Sequence, residues 1–110
     1  MTTASFLTRK EELILLAVHQ LGESASLVRV LEILIVATGR DWTMGNVYVP
    51  LDRMTRLGYL KTRIGEPTAR RGGKAMKYYS LSPQGKEALS ELKRVHDVLW
   101  KGITDPALEK

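Results

Sequence analysis

Two histidines, no cysteine and a glycine-lysine pair in a glycine-rich stretch are all that this 110-residue chain offers toward conventional active-site chemistry. His19 lies in one apolar helical stretch and His96 in another, and without a thiol neither has the partner that nucleophilic catalysis needs. Two distant histidines also form no ligand cluster, so no metal is expected. Gly73-Lys74 invites comparison with a phosphate-binding loop. That loop requires glycine at 68 and a hydroxyl at 75, where this chain has Thr68 and Ala75. No catalytic residue, cofactor or enzymatic activity is expected.

What remains is charge and its placement. The chain carries 17 Lys and Arg against 12 Asp and Glu, a formal net charge of +5. The excess is concentrated between Arg40 and Tyr78, where nine cations (Arg40, Arg53, Arg56, Lys61, Arg63, Arg70, Arg71, Lys74 and Lys77) face three anions (Asp41, Asp52 and Glu66). A merely solubilising surface would scatter them; their concentration points to a face for a polyanion. Arg70, Arg71 and Lys74 stand among glycines at what reads as a hairpin tip, suited to following a phosphate backbone.

The elements that must hold these residues follow from periodicity. Thr8-Arg-Lys-Glu11 has the form of a capping box, and Leu13, Ile14, Leu16, Ala17 and Leu21 predict a first helix from about residue 9 to 20, ended by Gly22. Ser24 or Ser26 can cap a second helix to about residue 37, apolar nearly all round and stopped at Gly39. Thr43 caps a third, with Met44, Val47, Tyr48, Leu51 and Met54 on one face and Gly45, Asn46, Val49, Asp52, Arg53 and Arg56 on the other. Pro50 should kink this helix, and Gly58 should stop it. Two strands at about 59–64 and 75–81 flank the basic loop; Leu60 and Ile64 share an inner face, while Tyr78 and Tyr79 point opposite ways and either could be inside. Ser82-Pro83 starts a fourth helix to about residue 102. Its stripe of Leu89, Leu92, Val95, His96, Leu99 and Ile103 exceeds what one small core needs, which predicts a symmetric dimer.

The fold class is therefore mainly α with a small β-hairpin, in the order helix, helix, helix, strand, strand, helix. In a helix-turn-helix the second helix enters the major groove and turns its opposite face to the domain, which is the design of the third helix here. Thr43, Asn46, Val49 and Arg53 would read bases: Asn suits adenine, Arg guanine and Val a thymine methyl. Tyr48, Arg63, Arg70, Arg71 and Lys74 would hold the DNA backbone.

The segment from Thr43 through Gly45, Tyr48, Leu51, Arg53 and Met54 to Gly58, with Arg71-Gly-Gly73 and Tyr78-Tyr-Ser-Leu-Ser-Pro-Gln-Gly85, resembles the PadR family of winged-helix transcriptional regulators. The resemblance spans about residues 10 to 102; Met54 for leucine and Ser82 for threonine are its small departures. It implies a winged helix-turn-helix domain over 1–82, a dimerisation helix over 83–103 packed on that domain, and a frayed tail over 104–110. It further implies a homodimeric repressor on an inverted-repeat operator in double-stranded DNA, with half-sites roughly 10 bp between centres. Trp100, on the last helix, is the candidate contact for a small-molecule effector. The alternative is a winged-helix adaptor that binds a protein or small molecule, which would have no need of the basic segment. Neither apolar run, near Leu13 or Ile33, approaches the roughly 18 residues of a membrane span, and the N-terminus lacks a secretory signal, so a cytoplasmic location is expected.

Overall fold

The computed structural model describes residues 7–66, 75–103 and 106–108. Helix α1 (Arg9–Leu21) is followed by a 3₁₀ turn, Gly22–Ser24, then α2 (Leu27–Thr38) and α3 (Met44–Arg56). Strands β1 (Leu60–Ile64) and β2 (Lys77–Leu81) precede α4 (Pro83–Trp100). In the tail expected to fray, Pro106–Leu108 make one further 3₁₀ turn. Among the described residues no helix is long and apolar enough to cross a membrane.

Local chemistry fixes the helix ends. The capping box at α1 is complete: Thr8 Oγ1 accepts from the Glu11 N–H at 3.1 Å, and Glu11 Oε1 accepts from the Thr8 N–H at 2.9 Å. Ser26 rather than Ser24 caps α2, and Gly39 ends it in the left-handed conformation at φ 68°. Thr43 caps α3 through the Asn46 N–H. Pro50 brings no N–H to the Asn46 carbonyl, yet α3 continues through it as one helix to Arg56.

Three helices and the hairpin enclose the core. Ile14, Leu15 and Val18 of α1 meet Val30 and Leu34 of α2, Val47, Leu51 and Met54 of α3, and Leu60, Tyr79 and Leu81 of the hairpin. The strands pair antiparallel, with Leu60 opposite Leu81 and Arg63 opposite Tyr78. β2 also meets Ala25 and Ser26 ahead of α2, where the Tyr79 N–H donates to the Ala25 carbonyl at 2.8 Å. That pairing decides the ambiguous tyrosines: Tyr79 is inside, and Tyr78 lies on the outer sheet face with Lys61, Arg63 and Ser80.

Ile64 and Met44, expected on inner faces, lie outside it. Ile64 is 64% exposed because the hairpin outruns the helices beneath it, and Met44, at the start of α3, is about half exposed. α2, apolar nearly all round, buries only part of that surface: Val28, Ile35 and Val36 face outward.

The junction of hairpin and α4 is tightly built. Ser82 caps α4 through the Gly85 N–H at 3.0 Å while its own hydroxyl donates to the Gly58 carbonyl. Gly85 is buried, and a Cβ there would stand 2.1 Å from the Tyr59 carbonyl oxygen. Only glycine lets the first turn of α4 approach the strand so closely.

Candidate nucleic-acid interface

The two faces of α3 are separated as a recognition helix requires. Val47, Leu51 and Met54 are wholly buried, while Asn46, Val49 and Arg56 are exposed on the far side. The Asn46 side chain is directed to solvent near the helix start. Thr43 is also exposed; its hydroxyl oxygen accepts from the Asn46 N–H, which leaves its O–H to donate elsewhere.

Arg53 has a partner that helical spacing does not reveal. Its Nη1 donates to Glu11 Oε2, and the Glu11 side chain is only 9% exposed while that of Arg53 is 52% exposed. Glu11 thereby serves both the α1 capping box and a tie between α1 and α3. One arm of the Arg53 guanidinium is engaged, and the fork retains further N–H donors on its exposed side.

Arg56 was not among the expected base readers, although it lies seven residues from Val49 on the same outward face. It pairs with Asp52 at 3.0 Å, one turn back, in an exposed pair that is weak and easily exchanged for another anion. The sequence signal for it was the spacing itself.

Tyr48 is 43% exposed at the edge of α3 that adjoins the hairpin. Burial, with the nearby Tyr48 and Asp52, pushes the Tyr79 phenol above its usual range, so Tyr79 is neutral where it packs beside this edge. Lys77, one of the nine cations of the basic segment, reaches over the Tyr79 ring at 5.6 Å and adds a positive charge on this side of the sheet.

Arg63 is drawn elsewhere. It lies on the outer sheet face with its guanidinium 4.6 Å from the Tyr78 ring centre, and Nη2 donates to the Glu23 carbonyl at 3.0 Å. The two-residue period of β1 turns it away from the side on which Tyr79 adjoins α3. Arg70, Arg71 and Lys74 lie outside the described residues. Trp42 anchors the turn before α3: its Nε1–H donates to Thr38 Oγ1 at 2.9 Å, and Lys10 lies 5.9 Å from its ring centre.

The α4 stripe divides along its length. Leu89 packs on the core, Leu92, Val95 and His96 are half-buried along α1, and Leu99, Trp100 and Ile103 are exposed. Between α1 and α4 runs a groove of about 740 Å3, to which Leu13, Leu16, Leu92, His96 and Trp100 contribute. Among the described residues no group of three or more His, Cys, Asp or Glu could hold a metal.

No protein-family model matches the chain, and no curated protein matches it. Solved structures do. A PadR-like transcription factor from Bacteroides fragilis superposes with a TM-score of 0.69 at 26% identity, over 83% of this chain and 85% of that one. A PadR family transcription regulator from Clostridium difficile R20291 gives 0.65 at 20% identity, over 86% and 92%. Streptococcus pneumoniae FabT, solved in complex with DNA, gives 0.66 at 18% identity, over 94% of this chain and 66% of that one. The chain thus has a winged-helix fold similar to that of PadR-like transcription regulators.

Proposed function

We propose that this chain is a sequence-specific DNA-binding transcriptional regulator, acting as a dimeric repressor that occludes a promoter. The observation that carries the reading is the division of α3, with Val47, Leu51 and Met54 sealed in the core while Asn46, Val49 and Arg56 are exposed on the opposite side. The likeness to a regulator solved on DNA supports it.

In this reading residues 1–82 form the DNA-binding unit and α3 enters the major groove. Asn46 offers an amide to adenine, Val49 an apolar contact to a thymine methyl, and Arg53 and Arg56 guanidinium donors to guanine. Thr43 offers its hydroxyl to a base edge, and Tyr48 donates to phosphates, as do Arg70, Arg71 and Lys74 of the wing. Residues 83–103, with α1, pair two subunits through Leu92, Val95, Leu99 and Ile103, while His96 lies beside the seam. Symmetry then requires an inverted-repeat operator with half-sites roughly 10 bp apart. The groove that Trp100 lines is the first place to seek a small-molecule effector.

The test is an anisotropy titration against a randomised duplex pool at two salt concentrations, with sequencing of the bound fraction. An enriched inverted repeat with steep salt dependence is expected. Absence of binding at low salt would refute the reading in favour of an adaptor. Asn46→Ala should relax preference at its base position and cost about 1–3 kcal/mol on the enriched site; equal loss on random DNA would reassign Asn46 to the backbone.

A further inference from the structure

Beside the hairpin lies a cavity of about 480 Å3 that the DNA reading does not use. Its walls come from the end of α1, both strands and the first turn of α4. Lys61 and Arg63 enter it from β1 because they share one side of the two-residue period, and Lys86 reaches it from α4. Glu23 is the one carboxylate residue on its lining, against these three cations. Neither Lys61 nor Lys86 has an ion-pair partner among the described residues.

Two unlike elements, β1 and α4, thus bring three cations to one concave place without neutralising them. Like charges gathered beside low-dielectric walls raise the local potential, and an anion entering between them lowers it. Arg63 is already immobilised for such a role. Its stacking on Tyr78 and its bond to the Glu23 carbonyl fix the guanidinium, so little side-chain entropy remains to be lost on binding. Ser80, opposite Lys61 in the strand register, adds a hydroxyl donor, and the buried Val18 and Leu81 give the cavity an apolar side. The volume falls within the range of small-molecule sites, which combine apolar walls with a few convergent polar groups.

We propose that this cavity binds a small organic anion through a carboxylate or phosphate group, held by Lys61, Arg63 and Lys86. The site adjoins the α1–α4 groove that Trp100 lines, with His19, Leu81 and Lys86 contributing to both, and the proposal does not rest on DNA binding.

The test is a titration of the whole chain, without DNA, with inorganic phosphate, citrate or chloride at constant ionic strength, followed by amide NMR and calorimetry. Phosphate or citrate should shift Gly22, Lys61, Ser80 and Lys86 together. Tighter binding of phosphate would assign a phosphate ester as the ligand class, and tighter binding of citrate a carboxylate. The double variant Lys61→Gln/Lys86→Gln should bind at least about tenfold more weakly, while Asn46→Ala binds as the parent does. Both lysines are exposed, so the fold should survive; Lys86→Gln alone gives a milder version of the same test. Equal shifts with chloride, shifts spread over the whole basic surface, or undiminished binding by either lysine variant would overturn the proposal.

Discussion

α3 and α4 carry the same pattern, an apolar stripe at spacing three and four, and the chain disposes of them differently. α3 commits its stripe to its own core, with Val47, Leu51 and Met54 wholly buried. α4 is longer, yet its one fully buried residue is Gly85, and its apolar side chains become more exposed toward Trp100. Adjacent residues of α1 repeat the contrast. Glu11 is buried and tied to Arg53 of α3, whereas Glu12 faces His96 of α4 across 3.9 Å, with side-chain exposures of 16% and 44%. A stripe at helical spacing therefore says that a face is apolar, and the neighbouring elements decide whether the same chain covers it.

The largest effect should come from breaking the closed side. Leu51→Ala removes a fully buried side chain between α1 and the hairpin and should cost about 3 kcal/mol in urea denaturation. A loss under about 1 kcal/mol would mean that α3 is as loosely held as α4. The open side should respond in the opposite sense. Leu99→Lys places a charge at a residue 70% exposed, so the melting temperature of the monomer should hardly move. Self-association, followed by sedimentation equilibrium, should weaken by at least about tenfold. A variant that dimerises as the parent does would move the seam away from the end of α4.

The two glutamates give a finer comparison within one turn of α1. Glu11→Gln keeps an oxygen for the Thr8 N–H but removes the charge facing Arg53, and should cost about 1 kcal/mol; the half-exposed arginine keeps the figure below that of a fully buried pair. Glu12→Gln should stay within about 0.5 kcal/mol. A cycle combining Glu11→Gln with Arg53→Gln isolates the coupling, and zero coupling would release Arg53 from α1.

These contrasts also mark what the sequence could and could not convey. Helix order, the caps at Thr8, Thr43 and Ser82, and the two faces of α3 were legible because they depend on residues within a turn or two of one another. The Glu11–Arg53 tie was hidden because it joins residues 42 apart in sequence, which no local pattern encodes. The stacking of Arg63 on Tyr78 was hidden for a related reason: period two gives each strand two faces but does not say which one is inside. The bond from the Tyr79 N–H to Ala25, before α2, supplies that information only once the chain is folded. Ile64 was placed inside by the same period and lies outside because the strands extend beyond the helices that could cover them.

The smallest effect, on the closed side again, concerns pH. Tyr79 is 3% exposed, and its phenol is raised from 10.0 first by burial and then by Tyr48 and Asp52. Below pH 10 the folded and unfolded chains both keep the phenolic proton, so Tyr79 contributes no slope. As pH rises through the ordinary value the unfolded tyrosine ionises first, and the folded one does so only above its raised value. The unfolded state then holds fewer protons, and stability must fall with rising pH over that interval. Tyr79→Phe removes this component, so the difference in unfolding free energy between parent and variant should be constant up to about pH 9 and drift in the variant's favour above about pH 10. A difference that stays flat through pH 11 would mean that the Tyr79 hydroxyl already reaches water, and that the edge of α3 beside the hairpin is as open as the end of α4.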